Sequence, residues 1–464
     1  MRRTVVTGVD IDPYLQALRT ELHVPGEFPP DVQAEATRVA SGWSRQGRVD
    51  ATDLGLVTLD PAGSRDLDQA FLLERGSSGL VLHYAIADVG AFVAPGGAID
   101  GEAHRRGETL YLPDGRAPLH PPVLSEGAAS LLPGEDRPAL LWRMHLDADG
   151  QPRTVEVRRA VVRSRAQLDY ETLQREGGAV VDLLQEFGRL RQERERARGA
   201  VSLPVPEQQV SGNGTGWTLT YRAPLPVEDW NAQMSLLTGI SAAKLMLDAG
   251  VGLLRTMPPP DDATVQSLRR SALALDIAWP TGASYADVVR GLDAGRPTNA
   301  ALLRLAAVLF RGASYVAFDG SAPATSTHAA VAAPYAHATA PLRRLADRYV
   351  GECCVAICAG DDVPAWVRSA LPALPDEMAD ADRRAHEVDR AVVDLAEALV
   401  LAERCGEMFR GVVVEAGPKG GEVQLRDPAV RARLDGADLP LGEEIDVRLL
   451  SVDVTKRRVT FDRA

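Results

Sequence analysis

Residues 56–72 read LVTLDPAGSRDLDQAFL and place three aspartates, Asp60, Asp66 and Asp68, within nine positions. The run before Asp60 has β character, and residues 61–64, with the sequence PAGS, have the composition of a turn. If the chain is extended after this turn, Asp66 and Asp68 lie on one face, because side chains two apart in a strand point the same way. The pattern therefore predicts that the three carboxylates converge.

Three convergent carboxylates with no neighbouring Lys or His repel one another unless a hard divalent cation lies among them. Mg²⁺ prefers such oxygen ligands, so Asp60, Asp66 and Asp68 are the predicted metal ligands, with Mn²⁺ as the alternative cation. A solvated acidic turn is the other interpretation, because Asp is common in turns for conformational reasons. The local sequence leaves both interpretations open.

The length and charge of the chain restrict its class. Its 464 residues predict roughly three domains, and its net charge of −13 argues against nonspecific binding to a polyanion. No apolar run is long enough to span a bilayer, and no secretory signal is apparent. Three of the four cysteines, Cys353, Cys354 and Cys358, lie in one apolar stretch and are predicted to be reduced core residues of a helix. These features predict a cytoplasmic protein without a membrane anchor.

The apolar spacing changes along the chain and predicts an α+β fold in three parts. Residues 1–50 look helical. Residues 51–404 begin with β-like segments and continue with mainly helical spacing. Residues 405–464 contain short strands separated by Gly and Pro turns, which suggests a small barrel of the oligonucleotide-binding type.

A second motif, YAHATAPLRRLADRY at residues 335–349, supplies positive charge. Thr339 is predicted to cap a helix whose first turn contains Pro341, Arg343 and Arg344. A helix start with two arginines would attract phosphate through its free N–H groups and guanidinium groups. The alternative for Arg343 is a surface ion pair with Asp347.

The aspartate and arginine motifs occur in order with two long blocks, at residues 83–114 and 121–140. Together with the strand-rich C-terminal segment, they resemble the RNB catalytic domain and S1 domain of the ribonuclease II and ribonuclease R exoribonucleases. The resemblance spans about residues 51–464, and it implies that the catalytic domain is a mixed sheet surrounded by helices. It implies a magnesium-dependent enzyme that hydrolyses single-stranded RNA from its 3′ end, in a deep channel, to nucleoside 5′-monophosphates.

The resemblance also implies roles for individual residues. Asp68 and Arg343 match catalytic positions, and Asp60, Asp66 and Asp68 match the metal ligands. Tyr111 and Tyr170 match aromatic side chains that contact RNA in the channel, where base stacking tolerates any sequence. Arg343 and the adjacent Arg344 are expected to bind the RNA phosphates.

The sequence departs from the family pattern at three acidic positions. Gln69 stands where a fourth aspartate is usual, which puts a second metal position in doubt. Gln233 stands at another expected carboxylate, and Asp389 replaces a glutamate. In the C-terminal segment, Phe409 and Phe461 are the only aromatic residues, so a barrel with a purely structural role is a serious alternative to one that binds RNA.

The first 50 residues cannot hold the two cold-shock barrels that family members usually carry before the catalytic domain, so weaker RNA binding is expected. Two alternatives to the exonuclease follow from these departures. One is a catalytically weakened relative that binds RNA, and the other is a metal-dependent phosphodiesterase for short oligonucleotides. Single-stranded RNA is the expected partner, and the sequence predicts no membrane contact and no obligatory protein partner.

Overall fold

The computed structural model describes residues 4–7, 11–203, 206–212 and 216–464. The helices are α1 Asp12–Glu21, α2 Pro30–Ala40, α3 Ala98–Arg106, α4 Tyr170–Glu176, α5 Ala179–Arg198, α6 Pro226–Ala249, α7 Asp262–Ala274, α8 Tyr285–Arg290, α9 Pro297–Ala306, α10 Leu345–Ala359, α11 Ala365–Ala370 and α12 Leu374–Leu401. One turn of π-helix, Leu124–Ala128, and two short 3₁₀ helices, Val89–Ala91 and Ala307–Phe310, complete the helical elements of the described ranges.

The strands of the first half are β1 Thr4–Thr7, β2 Val49–Ala51, β3 Thr58–Asp60, β4 Gln69–Arg75, β5 Leu80–Ala87, β6 Leu110–Leu112, β7 Gly115–Ala117, β8 Asp136–Leu146, β9 Pro152–Arg163 and β10 Gln167–Asp169. Those of the second half are β11 Glu207–Gly212, β12 Gly216–Arg222, β13 Val251–Thr256, β14 Ser314–Asp319, β15 Thr327–His328, β16 Ala333–Pro334, β17 Met408–Gly417, β18 Gly420–Leu425, β19 Arg431–Asp435, β20 Glu444–Asp453 and β21 Arg458–Arg463.

A five-stranded mixed sheet with the order β2-β9-β8-β5-β4 forms the centre of the molecule. Its central strand β5, with the sequence LVLHYAIA, is buried along its whole length. Because successive side chains of a strand point to opposite faces, Leu82 and Tyr84 enter one core cluster while Ala85 and Ala87 enter another. Both faces of the sheet are therefore covered, as predicted for a sheet surrounded by helices.

Helices α6 and α10 pack together on one face of the sheet and contribute to the larger of these clusters. The second half of the chain is less helical than predicted, because strands β13 to β16 interrupt it. Strand β13 pairs with β14, 58 residues later at the Thr256–Ser314 pair, and periodicity within a short window does not reveal such long-range pairing.

The last five strands close into a barrel with the order β17-β18-β19-β21-β20. The short strands and the small barrel predicted for this segment are both present. Phe409 and Phe461 are 7% and 0% exposed and meet edge to face inside the barrel, with ring centroids 5.7 Å apart. They fill the barrel core and present no platform for base stacking. The predicted α+β class, with a mixed sheet among helices and a C-terminal barrel, is confirmed.

The N-terminal part holds α1 and α2, as predicted, together with β1, which pairs with β12; residues 1–3 and 8–10 lie outside the described residues. The cysteine prediction is correct for Cys353 and Cys354, which are buried in α10, and wrong for Cys358, which is exposed near the end of that helix. Within the described ranges, none of the helices has the length and apolar character needed to cross a bilayer.

Candidate active site

The first aspartate motif forms a loop between two strands. Asp60 ends β3, which pairs in parallel with β10, and Asp66 and Asp68 lie in the irregular segment before β4. Between them, Leu67 is fully buried in the core and fixes the loop to the body of the protein. Asp68 is 4% exposed, so this carboxylate is held inside the protein and is not part of a solvated turn.

Asp68 joins this loop to the arginine motif, 275 residues further along the chain. Its Oδ1 accepts a hydrogen bond from the Leu342 backbone N–H at 2.8 Å, and its Oδ2 accepts one from Arg343 Nε at 3.2 Å. The Arg343 side chain remains 46% exposed, so its guanidinium is accessible to a ligand. We call Asp60, Asp66, Asp68 and Arg343 the aspartate centre.

The predicted helix start at Thr339 is wrong. Helix α10 begins at Leu345, and the preceding residues form an irregular turn. Their backbone groups bond to side chains instead: the Ala340 N–H donates to Asp347 Oδ1 at 2.7 Å, and the Leu342 N–H donates to Asp68. Arg343 therefore lies in a turn that is fixed by carboxylates, before the first residue of helix α10.

The two adjacent arginines have different partners. The ion pair with Asp347, which was the alternative considered for Arg343, is made by Arg344, whose Nε and Nη2 lie 2.5 and 2.9 Å from the two carboxylate oxygens. The Arg344 side chain is 20% exposed, against 46% for Arg343. These contacts hold the turn in place, and the RNA-binding role of Arg344 stays a prediction.

A short hairpin of β6 and β7 covers Asp66. Tyr111 and Arg116 stand opposite each other in its register. The Tyr111 hydroxyl donates to Asp66 Oδ2 at 3.3 Å, and Arg116 Nη1 donates to Asp66 Oδ1 at 2.6 Å. Tyr111 is 47% exposed, as a residue that stacks on a ligand must be, whereas Arg116 was not predicted from the sequence.

Tyr170 is the first residue of α4 and follows Asp169, whose side chain caps the helix by accepting from the Thr172 N–H. Its hydroxyl accepts a hydrogen bond from Asn231 Nδ2 of α6 at 3.0 Å. Burial raises the pKa of Tyr170 to about 12, and the Asp60 carboxylate adds to this effect. Tyr170 thus lies within electrostatic reach of the aspartate centre.

Gln69 takes part in a hydrogen-bonded link between the sheet and the arginine turn. Its Oε1 accepts from the Tyr84 hydroxyl at 2.7 Å, and its Nε2 donates to the Thr339 carbonyl at 2.6 Å. Tyr84 is also within 3.0 Å of the Ser235 hydroxyl of α6. An aspartate could not donate to the Thr339 carbonyl, so the amide has a defined role here.

The segment that follows α3, beginning at Gly107, makes backbone hydrogen bonds to the turn that contains Arg343. Gly107 has a φ of +73°, and a Cβ on it would lie 2.4 Å from the Ala381 Cβ of α12. Its carbonyl accepts from the Leu345 N–H at 2.9 Å, and the Thr109 N–H donates to the Arg343 carbonyl at 2.9 Å. The backbone of Arg343 is therefore fixed on both sides.

The aspartate centre is electrostatically unfavourable without a cation. Burial raises the pKa of Asp60 to about 6; the Arg343 guanidinium opposes this rise and the Asp66 carboxylate adds to it. Burial likewise raises the pKa of Asp68 to about 7, against the lowering effects of Arg343 and the Leu342 N–H. One oxygen of Asp60, Oδ2, is buried and has no hydrogen-bond partner.

The donor set suits a hard divalent cation, because it consists of carboxylate oxygens and one of them is buried and unpartnered. The geometry is not that of a preformed site: among the described residues, no group of three or more His, Cys, Asp or Glu side chains is arranged closely enough to hold a metal. Asp66 and Asp68 are instead directed towards Arg116 and Arg343. The residues fit the ion chemically, and these ion pairs must rearrange to bind it.

A cavity of about 1090 Å³ lies beside the aspartate centre, and Tyr111 belongs to its wall as well as contacting Asp66. The wall is built from the β6–β7 hairpin, the segment around β11, helices α9 and α12, and the barrel. Asp389 of α12 lines this cavity, whereas Gln233 donates to Glu195 of α5 at 2.6 Å and joins two helices. Of the described charged wall residues, five are acidic and three are arginines.

The sequence reasoning missed Tyr84, Arg116, Asn231 and Ser235. Arg116 had a local signal, because the Pro-Asp-Gly turn after Leu112 predicts a hairpin that sets residues 111 and 116 opposite each other. The other three had none, because their contacts depend on how α6 packs on the sheet.

The protein combines a mixed sheet, which carries an aspartate loop and an arginine turn beside a cavity, with a closed five-stranded barrel. Comparison with known proteins identifies the class of protein that has this combination. The RNB domain model matches residues 48–357, and the model of the RNase II-type exonuclease C-terminal S1 domain matches residues 407–464. The chain belongs to the RNB family, which confirms the resemblance seen in the sequence.

Individual relatives agree with this assignment. Ribonuclease R of Vibrio cholerae is 26% identical over 98% of this chain and 62% of its own length, so the chain spans less than two thirds of that relative. The structure of Mycoplasma genitalium RNase R in complex with ribose methylated single-stranded RNA has a TM-score of 0.87 at 18% identity, over 97% of this chain and 78% of that one. Yeast Ssd1, described as a pseudonuclease, has a TM-score of 0.70 at 16% identity, over 89% of this chain and 52% of that one. At these identities the two structures show a shared fold.

Proposed function

We propose that the protein is a 3′-to-5′ exoribonuclease that hydrolyses single-stranded RNA to nucleoside 5′-monophosphates with the help of Mg²⁺ or Mn²⁺. The observation that carries the proposal is the contact of Asp68 with both the Leu342 N–H and the Arg343 side chain. This contact places an accessible guanidinium beside buried carboxylates, and a phosphodiester between a cation and an arginine needs this combination of charges.

The reaction is a displacement at phosphorus. A water oxygen forms a bond to the terminal phosphorus while the bond to the preceding 3′ oxygen breaks, which releases a nucleoside 5′-monophosphate and leaves a new 3′ hydroxyl. A divalent cation at Asp60, Asp66 and Asp68 supplies Lewis-acid activation of the water and the phosphate when it is bound. Arg343 stabilises the negative charge that develops on the non-bridging oxygens.

The RNA would follow the cavity to the aspartate centre. Tyr111, which is 47% exposed at the junction of the two, offers a face on which a base stacks without sequence preference. Tyr170 is held by Asn231 and is proposed as a second contact. The M. genitalium RNase R structure named above holds single-stranded RNA, and its shared fold supports this choice of substrate.

The test uses 5′-labelled single-stranded RNA of several lengths, with Mg²⁺ or with a chelator, and Asp68→Asn as the matched variant. The proposal expects ladder-like shortening by the wild type with Mg²⁺ alone, and at least about a hundredfold less by the variant. Asparagine keeps the shape of the side chain but removes its charge and one of the two acceptor oxygens that face the Leu342 N–H and Arg343 Nε. RNA that is bound but never shortened by the wild type would contradict the exonuclease.

One observation favours a second candidate, a relative that binds RNA and hydrolyses it slowly or not at all. The side chain of Gln69 is committed to Tyr84 and Thr339, so it replaces an expected acidic ligand with a neutral structural link. The similarity to Ssd1 shows that this fold also occurs in a protein described as a pseudonuclease. Tight binding of labelled RNA together with unchanged RNA length identifies this candidate. Shortening restricted to the shortest oligomers would instead identify an oligonucleotide phosphodiesterase.

A further inference from the structure

The β6–β7 hairpin carries Tyr111, the predicted platform for base stacking, and Arg116. Both side chains contact Asp66, one of the predicted metal ligands. Tyr111 and Arg116 are directly opposite in the antiparallel register, so their side chains share one face of the hairpin. Both side chains end at Asp66, where Tyr111 uses Oδ2 and Arg116 uses Oδ1. The position of the platform therefore depends on the state of Asp66.

Arg116 is held by two carboxylates. Its Nη1 lies 2.6 Å from Asp66 Oδ1 and its Nη2 lies 2.8 Å from Glu126 Oε1 of the π-helical turn. Its side chain is 23% exposed and that of Asp66 is 12% exposed, so water screens the pair only in part. Arginine is always protonated in proteins, so Arg116 brings a full positive charge to both carboxylates.

This contact has a direct consequence for cation binding. Asp66 already gives one oxygen to a guanidinium and the other to a hydroxyl, and a cation that uses Asp66 must displace at least one of them. When all three are ionised, the aspartates of the centre would carry three negative charges, against two positive charges on Arg116 and Arg343. The centre therefore attracts a second positive ion less strongly than three unpaired carboxylates would.

We propose that Arg116 competes with the divalent cation for Asp66, and so sets the metal affinity of the centre and couples cation binding to the position of Tyr111. The proposal rests on the proposed function only in taking Asp66 as a metal ligand. Arg116 is a positioning residue in this account, because it acts on Asp66 and on the hairpin and not on the reacting atoms. Linkage then requires that a cation which withdraws Asp66 from Arg116 also loosens the hairpin.

The test measures Mn²⁺ binding to the metal-free protein by isothermal titration calorimetry, which needs no catalysis. Arg116→Met removes the charge and keeps most of the side-chain length. Arg65→Met is the matched control, because Arg65 also lies near Glu126, at 3.6 Å, but makes no ion pair with Asp66. We expect Arg116→Met to bind Mn²⁺ at least about tenfold more tightly than the wild type, since a nearby opposite charge changes a carboxylate's affinity for a cation by about this factor or more. The control should leave the affinity unchanged.

A second measurement tests the coupling to the platform. With a chelator present, the affinity for fluorescent single-stranded RNA should fall about fivefold in Arg116→Met, because the hairpin loses its ion pair with Asp66. If Arg116→Met does not fold, as judged by its melting curve, Arg116→Gln takes its place in both measurements. Unchanged RNA affinity would overturn the coupling.

The outcomes separate this inference from the proposed function. Equal Mn²⁺ affinity in the wild type and Arg116→Met overturns the inference, even if the wild type degrades RNA. Tighter binding by the variant supports the inference even if neither protein shortens RNA. The absence of Mn²⁺ binding in both proteins would overturn the inference and also remove the metal from the proposed function.

Discussion

The aspartate centre and the cavity wall differ in how their charges are balanced. In the centre, Asp68 is opposed by Arg343 and Asp66 by Arg116, at N···O distances of 3.2 and 2.6 Å. On the wall, five carboxylates accompany three arginines among the described lining residues. With all groups ionised, the described wall residues have two more carboxylates than arginines, and the centre together with Arg116 has one more. A polyanion would therefore meet less repulsion in the centre than on the wall. From this difference we expect that an RNA substrate would be held mainly at the aspartate centre.

Replacement of Arg343 should break the centre most severely. We expect Arg343→Lys to lower kcat about a hundredfold, because lysine lacks the planar fork that contacts Asp68 and a phosphate together. Arg344→Lys is the matched control: Arg344 is paired with Asp347, so its change should affect thermal stability more than kcat. Single-turnover kinetics of both variants measure this difference. Equal loss of kcat in the two would contradict the distinct roles given to the adjacent arginines.

Substitution of Gln69 is expected to have the next largest effect on activity. We expect Gln69→Glu to lower activity about tenfold and stability by about 1–3 kcal/mol, because a carboxylate oxygen would face the Thr339 carbonyl where an N–H now donates. Tyr84→Phe removes the other hydrogen bond of the same link and should have a milder effect in the same direction. Thermal melts and RNA assays check both. A gain of activity in Gln69→Glu would show that this position is a metal ligand after all.

Removal of negative charge from the cavity wall tests whether the wall repels RNA. The Asp389→Asn and Asp394→Asn double variant should bind single-stranded RNA about three- to tenfold more tightly at low salt, and the gain should shrink at high salt. An Asp376→Asn and Glu403→Gln double variant changes the charge equally at residues that do not line the cavity. Fluorescence anisotropy with both variants separates a local effect from one of net charge. The same gain in both would mean that the wall has no special part.

The last prediction concerns the pH dependence of stability. Glu397 is 5% exposed on the cavity wall, and burial raises its pKa to about 7, against the Arg431 N–H and the Gln208 side chain that donate to it. The folded protein therefore binds a proton more tightly than the unfolded chain, so this group makes stability fall as pH rises from about 4.5 to 7. Glu397→Gln keeps the acceptor oxygen and should flatten that fall by roughly 1–3 kcal/mol. Denaturant unfolding at about pH 5 and about pH 8 measures the change.

The two halves of the centre were predictable from the sequence to different degrees. Asp60, Asp66 and Asp68 lie in one short motif, and a turn predicts that they converge. In the described structure they do not form a group close enough to hold a metal, because Asp66 and Asp68 are directed towards Arg116 and Arg343. The position of Arg343 near Asp68 followed only from the family resemblance, because no local rule joins residues 275 apart. The helix start at Thr339 was predicted wrongly because propensity at Thr339 and Pro341 does not include the carboxylates that compete for the backbone N–H groups of the turn.

The fold shows the same division between local and long-range information. The continuous apolar run of β5 and the helical spacing of α12 agree with the β-like and helical segments predicted for residues 51–404. Strands β13 and β14 were missed because they are short and pair with each other, although a long helical segment separates them in the sequence. Strand β19, with the sequence RARLD, buries only Ala432 and Leu434 among charged residues, which weakens its signal.

The most direct measurement of the central claim compares the two ends of one RNA. A single-stranded RNA labelled at its 3′-terminal nucleotide, or in a second sample at its 5′ end, is incubated with the wild-type protein and Mg²⁺. If the aspartate centre and Arg343 act on a 3′ end, the 3′ label appears at once as nucleoside 5′-monophosphate, while the 5′ label stays on progressively shorter chains. Release of the 5′ label first, or fragments cut from the interior, would contradict the account.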